Sequence, residues 1–329
     1  MLFWALSAFV LLIATFFIAL KFFLAKRIRI EFSGSHAFVT GGSKGIGKEI
    51  AIELVRRGCQ TVSIAARKRK DLEAAAQVIS SHCKQNQKVH YYELDVSTDY
   101  KTIEAVIQKA VSESGPIDFL VNNAGLVAQG AFDDLPIESF ESQLKINYLS
   151  AVYTTRAVVE SMKSRRNGHI TFVSSAAGQC AIWGYTAYSP SKFAIRGFAE
   201  ALHMELLPYN IGVSILFPPN TETEGFQEEL KTMPEEVKLI SGTAGSFSPK
   251  VVAQSVVQNI ENGEFATTIG FEGWMLGVLT AGAGPEPSIV NAIAQVTLGS
   301  LLRGIMLFYI GYFNSLVKKC CVKKSAKSE

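Results

Sequence analysis

Two overlapping stretches decide the fold of this chain: HAFVT at residues 36–40 and TGGSKGIG at residues 40–47. The first is a short apolar run typical of a buried strand. The second is a glycine-rich turn, and apolar residues at helical spacing then predict a helix over residues 45–57. A turn of this kind lets the backbone approach a pyrophosphate at the helix N-terminus, so it predicts a dinucleotide site. The candidate cofactor contacts in it are Gly41, Ser43, Lys44, Gly45, Ile46 and Gly47.

A basic cluster follows the second predicted strand, residues 61–66. Arg67 and Lys68 stand where an acidic side chain would bind a ribose 2′-hydroxyl and repel a 2′-phosphate. Because Arg can hold a phosphate through two hydrogen bonds, NADP(H) is favoured over NAD(H). A solvated basic loop is the alternative. Asp95 ends the third predicted strand and can either accept a hydrogen bond from the adenine amine or serve only as a turn residue.

Short apolar strands alternate with helices from residue 36 to residue 270. This alternation predicts an α/β fold, a doubly wound parallel sheet of the Rossmann kind with helices on both faces. The predicted strands are residues 36–40, 61–66, 89–94, 117–121, 170–174, 212–217 and 266–270. The predicted helices are residues 45–57, 71–83, 100–114, 136–165, 185–207 and 249–262.

A candidate catalytic group lies in the second half of this region. Tyr188 and Lys192 are four residues apart, which places them on one face of a predicted helix. A neighbouring ammonium favours the phenolate form of a Tyr and makes it a better acid and base near neutral pH. Ser174 and Ser175 end a strand, where parallel sheets keep ligand chemistry. Asn147 lies within the long predicted helix and is otherwise an ordinary solvated Asn.

Five motifs occur in a fixed order: TGxxxGIG at 40–47, NNAG at 122–125, Asn147, SSxAG at 174–178 and YxxxK at 188–192. In their order and spacing the chain resembles the short-chain dehydrogenase/reductase family over about residues 33–270. The resemblance implies an oxidoreductase that transfers a hydride between NAD(P)H and a carbonyl/alcohol pair.

The same resemblance implies a role for each motif residue. Tyr188 becomes the acid/base, and Lys192 lowers its pKa and holds the nicotinamide ribose. Ser175 polarises the carbonyl, with Ser174 as the alternative, and Asn147 holds a proton-relay water. Further implied cofactor contacts are Asn122, Ala124, Gly125, Tyr188, Lys192, Pro218, Thr221 and Thr223. The assignment of Thr221 or Thr223 stays open because PPNTET stands at residues 218–223 where most relatives have Pro-Gly.

Within the family, the chain is most similar to membrane-bound reductases of long-chain keto-sphingoid bases, on residues 186–210 and on its apolar ends. This implies NADPH and a long-chain ketone of sphingolipid synthesis. Residues 220–248 supply apolar candidates for a lid: Phe226, Leu230, Met233 and Leu239. Trp183 and Tyr185 either flank the approach to the site or pack in the core. A steroid or retinoid dehydrogenase and a non-catalytic dinucleotide-binding scaffold are the alternative functions.

The apolar surplus lies at the two ends of the chain. Residues 2–20 carry no charge and basic residues follow them, which predicts an N-terminal transmembrane anchor over residues 1–25 with the main domain in the cytosol. Residues 271–317 predict a hydrophobic hairpin that lies in the membrane or spans it twice. Within that region, residues 288–317 form either one long span or two interfacial helices. We favour a hairpin that does not cross, because Arg303 at mid-membrane would cost about 2.5–3.5 kcal/mol.

Residues 318–329 predict a basic cytosolic tail beside an anionic leaflet, in which Cys320 and Cys321 are candidates for acylation. Together with the family resemblance, these ends imply the endoplasmic reticulum membrane and membrane lipid as a partner.

Composition limits the remaining possibilities. The 329 residues are 48% hydrophobic and 19% charged, which excludes a disordered chain. A net charge of +3 gives no case for nucleic acid. The five cysteines are irregularly spaced, so neither a disulfide framework nor a metal site is expected. A homo-oligomer is left open.

Overall fold

The computed structural model describes residues 2–328, and its centre is a seven-stranded parallel sheet. The strands are β1 (His36–Thr40), β2 (Thr61–Ala66), β3 (Lys88–Glu93), β4 (Phe119–Asn122), β5 (Gly168–Val173), β6 (Ile211–Phe217) and β7 (Ala266–Thr268). They lie in the order β3-β2-β1-β4-β5-β6-β7, which confirms the predicted doubly wound Rossmann fold. Because the connections after β1 and β4 leave in opposite directions, a crevice opens at the carboxyl ends of these two strands.

Helices cover both faces of the sheet, and each face has its own apolar core. The described helices are α1 (Leu2–Phe23), α2 (Gly45–Arg56), α3 (Arg69–Ser80), α4 (Tyr100–Ser114), α5 (Ile137–Leu144), α6 (Ser150–Arg165), α7 (Tyr188–Leu206), α8 (Glu224–Thr232), α9 (Glu235–Ser241), α10 (Pro249–Asn262), α11 (Gly270–Leu279) and α12 (Ile289–Ser328). On one face, Ile50 of α2 and Val256 of α10 are fully buried. On the other, Ile107 of α4 and Met162 of α6 are fully buried too.

Two differences from prediction lie near the crevice. The helix predicted over residues 136–165 is interrupted by a π-helical turn, Lys145–Leu149, between α5 and α6. Such turns hold one extra residue and are frequent at functional sites, and apolar spacing does not reveal them. Helix α7 begins at Tyr188 rather than at Tyr185, because Gly184, with a φ of 85°, keeps the preceding residues in a turn.

The C-terminal apolar region folds as two packed helices. Met275 and Val278 of α11 and Leu302 of α12 form a small buried cluster between them. Residues 288–317 lie almost entirely in the single helix α12, so the alternative of two interfacial helices is wrong. Residues 318–328, expected as a tail, continue the same helix because their side chains find partners on the main body.

Both apolar ends lie next to each other. Among the described residues, one helix, Ile289–Ala326, is long and apolar enough to cross a membrane. The N-terminal helix α1 contacts α12, and Leu11–Phe23 forms a shorter apolar helical stretch. The backbone N–H of Ala25 donates to the carbonyl of Glu286 at 3.1 Å, which ties the base of α1 to the turn before α12.

Candidate active site

The glycine-rich turn forms an open backbone cradle between β1 and α2. Gly41 and Gly45 have φ angles of 64° and 53°, which other residues rarely adopt. A Cβ on Gly45 would lie 2.9 Å from Cγ2 of Thr223, so no side chain fits there. The first turn of α2 has no side-chain cap, and its N–H groups are left for a ligand. Lys44, at the tip of the turn, forms an ion pair with Asp71 at 3.0 Å. The cradle therefore fits a pyrophosphate.

Arg67 and Lys68 follow β2 with exposed side chains. Asp95 follows β3, and its Oδ1 accepts a hydrogen bond from the backbone N–H of Ser97 at 2.8 Å. Burial acts to raise the pKa of Asp95, but the hydrogen bonds from Ser97 and the charge of Arg67 outweigh it and lower this pKa. The three predicted residues thus lie at the same edge of the sheet as the cradle.

The two Asn side chains of the NNAG motif, at the end of β4, point in different directions. Asn122 is buried, and its amide is held by Thr154 at 2.5 Å and by Thr155 at 3.1 Å. Its predicted cofactor contact is therefore limited to the backbone. Asn123, which the sequence did not single out, faces the crevice.

Asn123 ties β4 to the cradle. Its Nδ2 donates to the carbonyls of Thr40 at 3.0 Å and Gly41 at 3.1 Å. The N–H of Ala124 donates to the Thr40 hydroxyl at 3.1 Å. These bonds fix the distance between the cradle and the catalytic strands.

Tyr188 and Ser175 meet in the crevice. The Ser175 hydroxyl is a hydrogen-bond partner of the Tyr188 phenol, and it also accepts from the N–H of Ala177 at 3.1 Å. Ser174, by contrast, is buried and donates to the carbonyl of Lys192 at 3.0 Å. The geometry therefore favours Ser175 over Ser174 as the serine that meets a substrate.

Lys192 lies one helical turn beyond Tyr188, with its Nζ 5.7 Å from the centre of that ring. Nζ donates to the carbonyl of Val173 at 3.0 Å. Burial lowers the pKa of Lys192 to about 8, although the Glu229 carboxylate acts in the opposite direction. Burial also raises the pKa of Tyr188, and the hydrogen bond to Ser175 only partly opposes this. The expected lowering of the Tyr188 pKa by Lys192 is not seen in the protein alone, because burial dominates.

Asn147 lies in the π-helical turn and is buried. Its Nδ2 donates to the carbonyl of Leu126 at 3.0 Å and to Ser191 at 2.9 Å, so it joins the β4 loop to α7. A Cβ on Gly125 would lie 3.0 Å from its Oδ1 and 3.4 Å from Nζ of Lys192. Asn147 and Lys192 therefore border the same small space above Gly125.

The segment after β6 lines the cavity with Pro218, Thr221 and Thr223. The Thr221 hydroxyl donates to the carbonyl of Pro219 at 2.9 Å. The Thr223 hydroxyl caps α8 by accepting from the N–H of Phe226 at 3.0 Å. Both hydroxyls thus already have local partners.

A cavity of about 300 Å³ opens beside Tyr188. Helices α8 and α9, residues 224–241, cover it, and we call them the lid. Phe226 and Ile240 of the lid line the cavity, whereas Leu239, one of the apolar residues predicted for the lid, is exposed. Tyr185 also lines it and stacks edge-on against Tyr188 with ring centres 5.2 Å apart. The predicted lid is thus present, but of its four predicted apolar residues Phe226 lines the cavity and the other three do not.

The C-terminal helices supply an apolar wall that the sequence did not indicate. The wall residues are Met275 and Leu276 of α11, with Met306, Tyr309 and Phe313 of α12. The three from α12 are spaced by three and four residues and so share one helix face. That spacing is the signal from which the wall residues of α12 could have been predicted. Every face of α12 is apolar in this stretch, so the spacing does not single out one face.

The end of α12 is fastened to the lid by two ion pairs, which we call the clasp. Nζ of Lys323 lies 2.8 Å from Glu235, and Nζ of Lys324 lies 2.7 Å from Glu236. Lys324 also sits 5.3 Å from the centre of the Trp183 ring. The residues predicted as a basic tail therefore end α12 and fasten it to the lid.

Residues 35–234 match the family model described as short chain dehydrogenase. The chain is 45% identical to a 3-dehydrosphinganine reductase of Danio rerio over 295 residues, which cover 90% of this chain and 89% of the relative. It is 46% identical to a 3-ketodihydrosphingosine reductase of Bos taurus over 292 residues, or 89% of this chain and 88% of the relative.

A solved structure described as a short chain dehydrogenase/reductase family protein resembles the fold with a TM-score of 0.59 at 24% identity. It covers 69% of this chain and 90% of its own. At this identity the likeness concerns the fold alone.

Proposed function

This chain belongs to the short chain dehydrogenase family, and on that premise we propose that it is a 3-ketodihydrosphingosine reductase. The observation that carries the proposal is the joining of Tyr188, Ser175 and Lys192 to an apolar cavity wall made by α11 and α12. A ketone with a long hydrocarbon chain needs both parts. The names of the relatives support the same substrate.

Each side chain of the site has its own role in carbonyl reduction. The nicotinamide dinucleotide supplies the hydride that the carbonyl carbon receives. Tyr188 donates its phenolic proton to the carbonyl oxygen, and Ser175 donates a hydrogen bond to the same oxygen. As an ammonium, Lys192 favours the phenolate that remains on Tyr188. Its reach also makes it the residue to hold the nicotinamide ribose.

Asn147 completes the path of the proton. Its Oδ1 and the Nζ of Lys192 border one space above Gly125, which suits a water bound to both. Such a water returns a proton to Tyr188 by way of Lys192. Because Asn147 also holds Leu126 and Ser191, it positions the turn as well.

NADPH is the proposed form of the dinucleotide. Its pyrophosphate would be held by the cradle between Gly41 and Gly47. Arg67 and Lys68 would hold the 2′-phosphate, and Asp95 would accept from the adenine amine. Thr221 or Thr223 would contact the nicotinamide amide. The fitting observation is that β2 ends in two exposed cations rather than in a carboxylate.

We place the chain in the endoplasmic reticulum membrane with the sheet in the cytosol. Support comes from α12, which is long and apolar enough to cross a membrane, and from α1 beside it. Basic residues lie at the ends of these helices: Lys21, Arg27 and the clasp lysines. Positive charge next to a membrane segment favours the cytosolic side. The hydrocarbon chain of the substrate then enters along the wall that α12 shares with the cavity.

The test is NADPH oxidation by the full-length protein in lipid vesicles with 3-ketodihydrosphingosine, with sphinganine detected by mass spectrometry. Steroid and retinoid ketones are offered in parallel. We expect turnover of the sphingoid ketone, with NADPH strongly preferred over NADH, and loss of that preference in Arg67→Asp. Turnover of only a steroid or retinoid would overturn the substrate, and cofactor binding without any turnover would point to a scaffold.

A further inference from the structure

Glu229 presents a half-buried carboxylate to the cavity. It lies on α8 and lines the cavity with Tyr188 and Lys192. Its backbone carbonyl accepts from Nε2 of Gln129 at 2.9 Å, which fixes this turn of the helix. Among residues 2–328, no hydrogen bond or ion pair engages its carboxylate. The adjacent Glu228 instead faces solvent and pairs with Lys231 at 2.7 Å.

The charge of Glu229 acts at the reacting end of the cavity. It opposes the lowering of the Lys192 pKa, and it contributes to the raised pKa values of Tyr188 and Tyr185. Burial raises the pKa of Glu229 itself, and Lys192 only partly offsets this. An unpaired carboxylate that is partly removed from water costs free energy. A ligand with a positive charge at this place would offset that cost.

The proposed substrate carries that cation next to its reacting carbon. A 3-keto sphingoid base has its amine on the carbon beside the carbonyl, and the amine is protonated near neutral pH. A carbonyl held by Tyr188 and Ser175 therefore places the ammonium close to the same end of the cavity. The amine needs a carboxylate partner there, and charge-assisted hydrogen bonds are the strong ones.

We propose that Glu229 binds the ammonium group of the substrate and so selects an amino ketone over an uncharged ketone of the same length. The inference rests on the proposed function and adds a specificity-determining residue to it. Glu229 is a substrate-binding residue and takes no part in hydride or proton transfer.

Glu272 is the other carboxylate among the described residues that line the cavity. It lies on α11, at the apolar wall, and is not among the groups that shift the pKa values of Tyr188 and Lys192. An amine beside the carbonyl carbon belongs at the Tyr188 end. Glu272 therefore serves as a matched control inside the cavity, and Glu228 as one outside it.

The experiment compares two substrates in full-length protein in lipid vesicles: 3-ketodihydrosphingosine and its deaminated analogue, which keeps the hydroxyl, ketone and chain. In Glu229→Gln we expect kcat/KM for the amino ketone to fall about 10- to 100-fold, the range for loss of a charge-assisted hydrogen bond. The value for the deaminated ketone should fall much less, because that ketone has no ammonium to lose its partner, and the KM for NADPH should stay within about twofold of the unmodified protein. Glu228→Gln and Glu272→Gln should keep the preference for the amino ketone.

An equal loss on both ketones would overturn the proposal, because it would show that Glu229 acts through Lys192 or through the fold. An unchanged preference in Glu229→Gln, or its loss in Glu272→Gln alone, would overturn it as well. If the unmodified protein reduces both ketones equally well, ammonium recognition is wrong while ketone reduction stands. If it reduces neither, the proposed function fails together with this inference.

Discussion

The sheet and helix α12 are both rich in apolar residues, yet they are held in place in different ways. In the sheet, Phe38 and Ile64 are fully buried, and parallel neighbours pair the backbone on both sides. In α12, Phe308 is 82% exposed, and the helix meets the rest of the protein through a small cluster with α11, a few contacts with α1, the cavity wall and the clasp. The cofactor end of the cavity is therefore rigid, whereas the wall for the hydrocarbon chain depends on a few contacts.

The two ends of the cavity have different structural requirements. The reacting groups need fixed distances, and a close-packed core provides them. A long flexible chain needs only an apolar surface, which exposed side chains of a helix in lipid can supply. Changes in the sheet and the crevice should therefore have large effects, and changes in α12 small ones.

The largest expected effect lies at the crevice. Tyr188→Phe removes the proton donor and keeps the ring, so turnover should fall about 10²- to 10⁴-fold, the usual contribution of general acid catalysis. NADPH binding and melting temperature should change little. Tyr185→Phe, which alters the neighbouring ring in the same cavity, should keep most of the turnover. Retention of more than about a tenth of the activity in Tyr188→Phe would contradict the mechanism.

The same substitution made in both regions tests the comparison directly. Phe38→Ala opens a cavity in a fully buried site and should lower the free energy of unfolding by about 3–5 kcal/mol. Phe308→Ala removes an exposed ring from α12 and should change it by less than about 0.5 kcal/mol. Denaturant unfolding of both variants in one detergent measures the two values. Similar losses would show that α12 belongs to the same cooperative core.

The sequence predicted the parts of the site that depend on local spacing. Residues four apart in a helix lie on one face, so spacing alone placed Tyr188 and Lys192 together. Ser174 and Ser175 end a strand whose neighbours are parallel. What spacing left open was which serine faces the crevice. The structure favours Ser175, because the Ser174 hydroxyl is buried and donates to the carbonyl of Lys192.

The residues that the sequence missed depend on long-range packing. Glu229 and Phe313 reach the cavity only because the lid and α12 fold back over the crevice. Asn123 gained its role from the distance between β1 and β4, whereas its neighbour Asn122 turned inward. In α12 the apolar content concealed the face that contacts the body. The basic tail was predicted from the lysines of residues 318–329, and spacing could not show their partners Glu235 and Glu236, which lie far away in sequence.

Removal of the clasp should have an effect of intermediate size. Replacing Lys323 and Lys324 together with Ala leaves Glu236 buried and unpaired, which costs about 1–3 kcal/mol locally. We expect faster hydrogen exchange in the lid and a higher KM for the sphingoid ketone, with the KM for NADPH unchanged. Salt should reproduce part of this effect in the unmodified protein by screening the exposed pair of Lys323 and Glu235.

Lys318→Ala combined with Lys319→Ala is the matched control for the clasp, because it removes two exposed charges from the same helix. If this control raises the KM for the ketone as much as the clasp variant does, the effect comes from the charge at the membrane surface. A lid exchange rate that is unchanged in the clasp variant would show that the ion pairs do not hold the lid.

The last effect is expected from acid, and it should act on the sheet. His169 on β5 is fully buried, and burial, with a smaller contribution from His203, lowers its pKa to about 3. In the unfolded chain a His has a pKa of about 6.5, so between these values the unfolded state binds a proton that the native state does not. The stability from neutral His169 is thus complete above about pH 6.5 and declines toward pH 3, by at most about 1.4 kcal/mol per pH unit. His169→Gln should flatten the dependence of unfolding free energy on pH between 4 and 6, whereas His82→Gln, on the protein surface, should not. Equal slopes for His169→Gln and the unmodified protein would show that other groups cause the acid sensitivity of the sheet.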